Sequence, residues 1–352
     1  MTYDPFARGP FPAGVRTIHE RRGDRSLPVE LWYPATDRYA GKDVAEGTRD
    51  SYDLIPGLPP GSQDAVRDAT GRPGRFPLVV FSHGYGGHRR QSTFLCTHLA
   101  SHGYVVAAVD HVGNTIFDVM QAIMMRQSGA TPPDADAVIE EFIVARPADV
   151  SFTIDRVLAG AGQLESRVDP DRIGVAGHSF GGWTTLAVAG RDRRIRAAFP
   201  LAPAGGASPL PVGRLTASLD FAWGREVPTL FVVADRDTLL PLPGMRDLLA
   251  RTQSSKRMVV LENADHMHFC DRAEEVHEMF RLMPTDPLFV PLQQSIPPIG
   301  ELCPGEHGYQ VIRGLGLAHM DAHLKGDESA ARFLAGDLRG VLAAHGVPVD
   351  VL

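Results

Sequence analysis

The chain has 352 residues, of which 43% are hydrophobic and 22% charged, with a formal net charge of −7. That balance suits a folded protein with a sizeable core and argues against a nucleic-acid binder, because no lysine- or arginine-rich block accompanies it. No apolar run approaches the roughly 20 residues needed to cross a bilayer.

The N-terminal Met-Thr-Tyr-Asp-Pro-Phe-Ala-Arg-Gly lacks the basic-then-apolar pattern of a secretory signal. This fits a cytoplasmic protein, or a secreted one whose signal has been removed. Val29 to Tyr33 alternates like a half-exposed antiparallel strand, and a Gly-, Pro- and Asp-rich loop follows from about Thr36 to Arg75. Leu78 to Phe81 reads as a buried strand, Phe94 to His102 as a helix, and Tyr104 to Val109 as another buried strand. A helix from Ala148 to Ala159 precedes the apolar run Arg172 to Gly177 and a helix that includes Trp183 to Ala189. Further strands are expected at Arg196 to Leu201 and Thr229 to Val233, with Met258 to Leu261 the last. Helical spacing runs from Tyr309 to Leu324, stopped by Lys325-Gly326, and again from Glu328 to Ala344. This alternation predicts a single α/β domain over residues 1–352, with a mostly parallel sheet and helices on both faces.

Two stretches break the rhythm, 111–146 and 269–304. The first carries Met120, Ile123, Met124 and Met125; the second is broken by Pro284, Pro287, Pro291, Pro297 and Pro298. Both follow a strand's C-terminal edge, where ligands bind in open α/β sheets, so they are expected to cover the site as lid-like insertions. The plainer alternative is that the methionines pack a peripheral helix. Of the three cysteines, Cys96 falls in an apolar helix and reads as a small buried hydrophobe. A bridge between Cys270 and Cys303 is compatible with an exported protein, but the sparse, odd set is neither a disulfide framework nor a zinc site.

The chemistry centres on Gly177-His178-Ser179-Phe180-Gly181, a match to the G-x-S-x-G nucleophile elbow between a strand and a helix. An ordinary glycine-rich turn is the alternative. A serine hydroxyl needs a base, and the base needs an orienting carboxylate, in the chain order Ser, Asp or Glu, His. That order selects His266 in Glu262-Asn-Ala-Asp-His-Met-His268, with His268, His307 and His319 as fallbacks. Asp235 and Asp237 both follow the strand ending near Val233, and Asp237 is favoured because it lies further into the loop. The oxyanion hole needs backbone N–H groups. Phe81-Ser-His-Gly-Tyr-Gly-Gly87 and the elbow nominate the amides of Tyr85 and Phe180. A phosphate-cradling role for these glycines fails, since no P-loop lysine or G-x-G-x-x-G pattern is present. Met120, Ile123, Met124, His178 and Trp183 are candidate substrate-binding residues. No metal or organic cofactor is needed.

Phe76 to Gly87, Leu99 to His111 and Gly177 to Gly182 resemble segments of the α/β-hydrolases, with similarity from about Pro28 to Asp327. Within that superfamily the chain is similar to the plasma-type platelet-activating-factor acetylhydrolases and to bacterial dienelactone-hydrolase-like esterases. The resemblance implies an α/β-hydrolase fold and calcium-independent ester hydrolysis through Ser179 and His266. The chain departs from the acetylhydrolases at Phe199-Pro-Leu-Ala-Pro203, where those enzymes carry the acid; this favours Asp237 and leaves the lipid substrate open. Dienelactone hydrolases use a cysteine nucleophile, so Ser179 argues against that reaction. The expected activity is a serine carboxylic-ester hydrolase for hydrophobic short- to medium-chain, aryl or polyester-type esters. Two alternatives stand beside it: an acetylhydrolase of oxidised or short-chain phospholipids, and a non-catalytic binding protein of the same fold.

Overall fold

A computed structural model describes residues 3–54, 59–131, 134–210, 213–282 and 290–352. The strands are β1 (Ala13–Arg22), β2 (Arg25–Pro34), β3 (Asp50–Tyr52), β4 (Gly61–Gln63), β5 (Val66–Arg67), β6 (Gly74–Ser82), β7 (Val105–Val109), β8 (Ser166–His178), β9 (Ile195–Leu201), β10 (Thr229–Ala234), β11 (Lys256–Leu261) and β12 (Val349–Val351). The helices are α1 (Thr93–Ser101), α2 (Ile116–Gln127), α3 (Ala135–Leu158), α4 (Phe180–Arg191), α5 (Gly213–Ser218), α6 (Leu242–Arg251), α7 (Ala273–Leu282), α8 (Val290–Gln293), α9 (Gly305–Met320), α10 (Glu328–Ala335) and α11 (Leu338–Ala344). Among the described residues, ten strands form one sheet in the order β12-β11-β10-β9-β8-β6-β7-β2-β1-β5. From β7 to β11 neighbouring strands run parallel, whereas β2 and β12 join them antiparallel.

Strand alternation divides the core between the two faces of the sheet. Leu78 and Val80 of β6 join α3, α4 and α6 through Val150, Ile154, Leu186 and Leu248. Val79 and Phe81 point the other way, toward Leu95 and Leu99 of α1 and Val311 and Leu315 of α9. All the parallel strands therefore end on one edge, which collects the loops after Ser82, Val109, His178, Ala234 and Leu261.

Several expectations need correction. β2 is buried from Val29 to Pro34 rather than half-exposed, and Glu30 can be buried there because arginines neutralise its carboxylate. The Thr36-to-Arg75 loop holds the short strands β3, β4 and β5, and residues 55–58 within it lie outside the described residues. Helix α3 starts at Ala135 rather than Ala148 and runs through Pro147. A proline usually marks a helix start because it lacks an N–H, and here it sits in the interior instead. Residues 111–146 are thus two helices, and Phe142 and Arg146 of the second are buried. The segment 269–304 contains α7 and α8, and Pro284 and Pro287 lie outside the described residues. β1 and β12 were not anticipated, and Gly336 divides the expected final helix into α10 and α11. Helix α9 continues as a π-turn to Lys325, and Gly326 at φ +67° closes it in the left-handed conformation. All three cysteines are free and buried, so Cys270 and Cys303 form no bridge.

Candidate active site

Ser179 follows β8 directly and precedes the first residue of α4, with φ +59° and ψ −118°. A non-glycine residue in that region costs on the order of 1–3 kcal/mol, so the surroundings must enforce it. The neighbouring glycines show how. A Cβ on Gly181 would lie 1.8 Å from the Ser82 carbonyl oxygen, and one on Gly177 would lie 2.4 Å from the Gly181 oxygen. Only hydrogen fits at either position, which lets β6, β8 and α4 converge beneath the serine. The Ser179 side chain does not cap α4, and its position is half-buried.

The loop after β10 carries Asp237, which is buried. Its Oδ1 accepts the N–H groups of Leu239 and Leu240 at 2.9 and 2.8 Å, and its Oδ2 lies 2.6 Å from His266 Nδ1. Asp235 is exposed and accepts the Ala264 N–H at 3.2 Å, bracing the neighbouring loop. His266 opens a short 3-10 turn capped by Asp265, which accepts the Met267 N–H at 3.0 Å. Burial alone would depress the His266 pKa. The charge of Asp237, its hydrogen bond and the charge of Asp265 outweigh that cost and raise it above the ordinary histidine value. His178, whose ring centroid lies 4.5 Å from that of His266, is pushed well below the ordinary value by burial and then by His266. The cleft therefore holds one neutral imidazole beneath one that readily takes a proton. No hydrogen bond joins Ser179 Oγ to His266 among the described residues, and such contacts commonly tighten only with substrate bound.

Two of the other candidate histidines are otherwise occupied. His268 is buried with its Nε2 2.8 Å from the Cys303 carbonyl, and His319 Nε2 lies 3.1 Å from the Pro228 carbonyl. His307 is half-buried near the start of α9.

Gly84 lies against the elbow: a Cβ there would be 3.4 Å from Ser179 Cβ. Its N–H donates to Gln91 Oε1 at 2.8 Å, and Gln91 Nε2 donates to His178 Nδ1 at 3.0 Å. Gln91 thus ties the Gly84–Gly87 loop to the elbow, a link that residue spacing did not disclose. Tyr85 follows Gly84, and Phe180 is the first residue of α4, where N–H groups have no partner within the helix. Both amides lie on the segments flanking Ser179.

The substrate-binding candidates divide. Met120 and Ile123 are half-buried on α2 and Met124 is exposed. Trp183 requires correction: it is fully buried and donates from Nε1 to the Leu215 carbonyl at 3.0 Å, so it fills the core rather than lining a cleft. His178 is likewise buried, stacked on Phe269, and supports the site from below.

The architecture has a solved counterpart. The ferulic acid esterase from Streptomyces cinnamoneus superposes with a TM-score of 0.60 at 28% identity, covering 91% of this chain and 93% of that one. The chain has the α/β-hydrolase fold. Along it, the family model for platelet-activating factor acetylhydrolase, isoform II, matches residues 20–128, and the PET hydrolase-like model matches residues 144–282. Platelet-activating factor acetylhydrolase of Bos taurus is 26% identical over 279 residues, spanning 68% of this chain and 59% of the relative. Cutinase 2 of Thermobifida cellulosilytica is 30% identical over 198 residues, spanning 54% of this chain and 60% of the relative. The chain thus spans less than two thirds of either relative's length. Among its described residues, no helix is long and apolar enough to cross a membrane.

Proposed function

We propose that the protein is a serine carboxylic-ester hydrolase. The observation that carries this reading is the buried Asp237–His266 pair at 2.6 Å, its imidazole 4.5 Å from the ring of His178, the residue before a serine held at positive φ. Ser179 attacks the ester carbonyl while His266 takes its proton, and Asp237 holds the tautomer and stabilises the imidazolium. The amides of Tyr85 and Phe180 receive the oxyanion. His266 then returns the proton to the departing alcohol and activates the water that hydrolyses the acyl-enzyme.

The substrate class we favour is a hydrophobic short- to medium-chain, aryl or polyester-type ester. Support comes from the exposed apolar side chains of Phe117 and Met124 on α2 and from the likeness to a cutinase and a ferulic acid esterase. The segments 111–146 and 269–304 supply the cover in this proposal, chiefly through α2 and α7. An acetylhydrolase acting on short-chain phospholipids is a second reading, favoured by the match over residues 20–128.

A fluorophosphonate probe with a panel of p-nitrophenyl esters of rising chain length tests the proposal. The probe should label wild type and fail on Ser179→Ala, and both Ser179→Ala and His266→Ala should lose nearly all activity while staying folded. Labelling that persists in Ser179→Ala rejects the mechanism, and an unlabelled, inactive wild type supports a non-catalytic binding protein.

A further inference from the structure

Phe142, Arg146, Val150 and Ile154 recur every fourth residue along α3 and form the stripe that packs on the sheet. Arg146 belongs to that stripe and is 0% exposed. Burying a guanidinium costs several kcal/mol and persists only where its donors are satisfied. Here Nε donates to Thr184 Oγ1 at 3.0 Å, and one Nη donates to Asn114 Oδ1. The other Nη donates to the His83 carbonyl and to Ser82 Oγ at 3.2 Å. The guanidinium carbon also lies 4.6 Å from the centre of the Phe180 ring. Burial lowers its pKa to about 9, partly offset by Asp149, which leaves it cationic at neutral pH.

Apart from Asn114, these partners lie on the two segments proposed above to supply the oxyanion donors. His83 immediately precedes Gly84-Tyr85. Asn114 holds the far side of the same loop, since its backbone carbonyl accepts the Gly86 N–H at 3.1 Å. Phe180 and Thr184 belong to the first turns of α4. One amide thus comes from the β6–α1 loop and the other from the start of a helix, and neither segment alone fixes their separation. We infer that Arg146 is the positioning residue of the oxyanion hole, a planar fork that locks the Tyr85 and Phe180 amides into one geometry. This inference rests on the serine-hydrolase reading. A lysine could keep the charge but not the fork, because its ammonium is a point donor on a flexible stem.

The test compares Arg146→Lys with wild type on p-nitrophenyl butyrate, and measures inhibition by an arylboronic acid that forms a tetrahedral adduct on a serine. Losing one oxyanion donor costs about 10²–10³ in kcat, so displacing two without removing either should cost roughly 10- to 100-fold. KM should stay within about twofold, and boronate affinity should fall in proportion to kcat, because both report the transition-state geometry. A folded Arg146→Lys with unchanged kcat, or with a loss carried by KM alone, overturns the inference. Should Arg146→Lys fail to fold, Asn114→Ala removes one acceptor of the fork and is judged by the same criteria. Ser179→Ala runs alongside: activity surviving there rejects the serine mechanism itself. Inactivity there with full kcat in Arg146→Lys rejects only the positioning role.

Discussion

His266 sits against Asp237 and next to Asp265, and the two carboxylates do different work. Asp237 meets the imidazole directly, while Asp265 caps the turn that presents it and lies 3.4 Å from His277 on α7. Because Asp237 raises the His266 pKa, the acidic limb of kcat/KM should have its midpoint above the ordinary histidine range. Asp237→Asn removes that influence and leaves burial opposed only by the charge of Asp265, so the residual activity should titrate at lower pH. Its kcat should also fall by roughly 10⁴-fold, the loss seen when a serine protease triad loses its acid. Asp235→Asn should keep most activity and lower thermal stability through the Ala264 contact. Steady-state pH profiles of both variants decide the matter, and the reverse pattern would transfer the acid role to Asp235. For stability the sign is opposite to that of activity. The charged His266–Asp237 pair stabilises the fold below the unfolded histidine pKa, and that contribution disappears as pH rises through the folded value.

At the scale of elements, α2 is the least anchored helix near the site. Thr115 and Asp118 form a capping box at its start, and Ile116 N–H donates to the Gly87 carbonyl at 3.0 Å, yet none of its residues is buried. Phe117, Met120 and Met124 are spaced to share one face, with Phe117 47% and Met124 58% exposed. Val119 turns the other way, close to Gly86. If α2 covers the acyl group, Phe117→Ser with Met124→Ser should lower kcat/KM for octanoate esters several-fold more than for acetates. The melting temperature should hardly move, since exposed substitutions usually change stability by no more than about 0.5 kcal/mol. Equal losses for both chain lengths would make α2 simple packing.

Much of this level was legible in the sequence. The buried runs of β6, β7, β9, β10 and β11 were apparent from apolar content and their alternation with helices, and the G-x-S-x-G pattern placed the elbow. What escaped detection depended on partners distant in sequence. Pro147 disguised the length of α3, and the charged residues of β1 hid a strand whose register comes from β2. Trp183, a candidate substrate-binding residue, instead turns its indole to the Leu215 carbonyl in α5, a partner that lies 32 residues away in sequence. Arg146 had a usable signal, a cation on an apolar every-fourth-residue stripe. Gln91 had none, because its importance arises only where the loop and the elbow meet.

Across the whole molecule, Glu30 gathers side chains from the outer hairpin, β5 and the loop after β6 around one carboxylate. It lies on β2, fully buried, with Arg67 at 2.9 Å, Arg90 at 3.0 Å, Arg89 at 3.3 Å and the Thr17 hydroxyl at 2.8 Å. Arg67 continues to Asp50 on β3 at 2.6 Å, and Arg89 continues to Asp110 at the end of β7. The outer hairpin, the small sheet and the loop that leads from Gly84 toward α1 are therefore fastened through one carboxylate. Burial by itself would raise the Glu30 pKa, but the charges of Arg90 and Arg67 and the hydrogen bonds of Thr17 and Arg90 outweigh it, so the group is held below its ordinary value. A depressed carboxylate contributes stability that is present above its unfolded pKa and is lost as pH falls through its folded pKa. Glu30→Gln preserves shape while leaving three half-buried arginines without their shared counter-charge; Arg67 and Arg89 keep Asp50 and Asp110, so the loss should fall below the about 3–5 kcal/mol of a fully buried pair. The variant should still melt below wild type at pH 7. The gap should narrow as the pH is lowered through the acid range, because wild type then surrenders the same charge by protonation. Thermal unfolding of both proteins at a series of pH values from neutral to acid measures that gap directly. A gap that stays constant throughout would mean that packing of the side chain, and not its charge, holds the outer hairpin to the rest of the sheet.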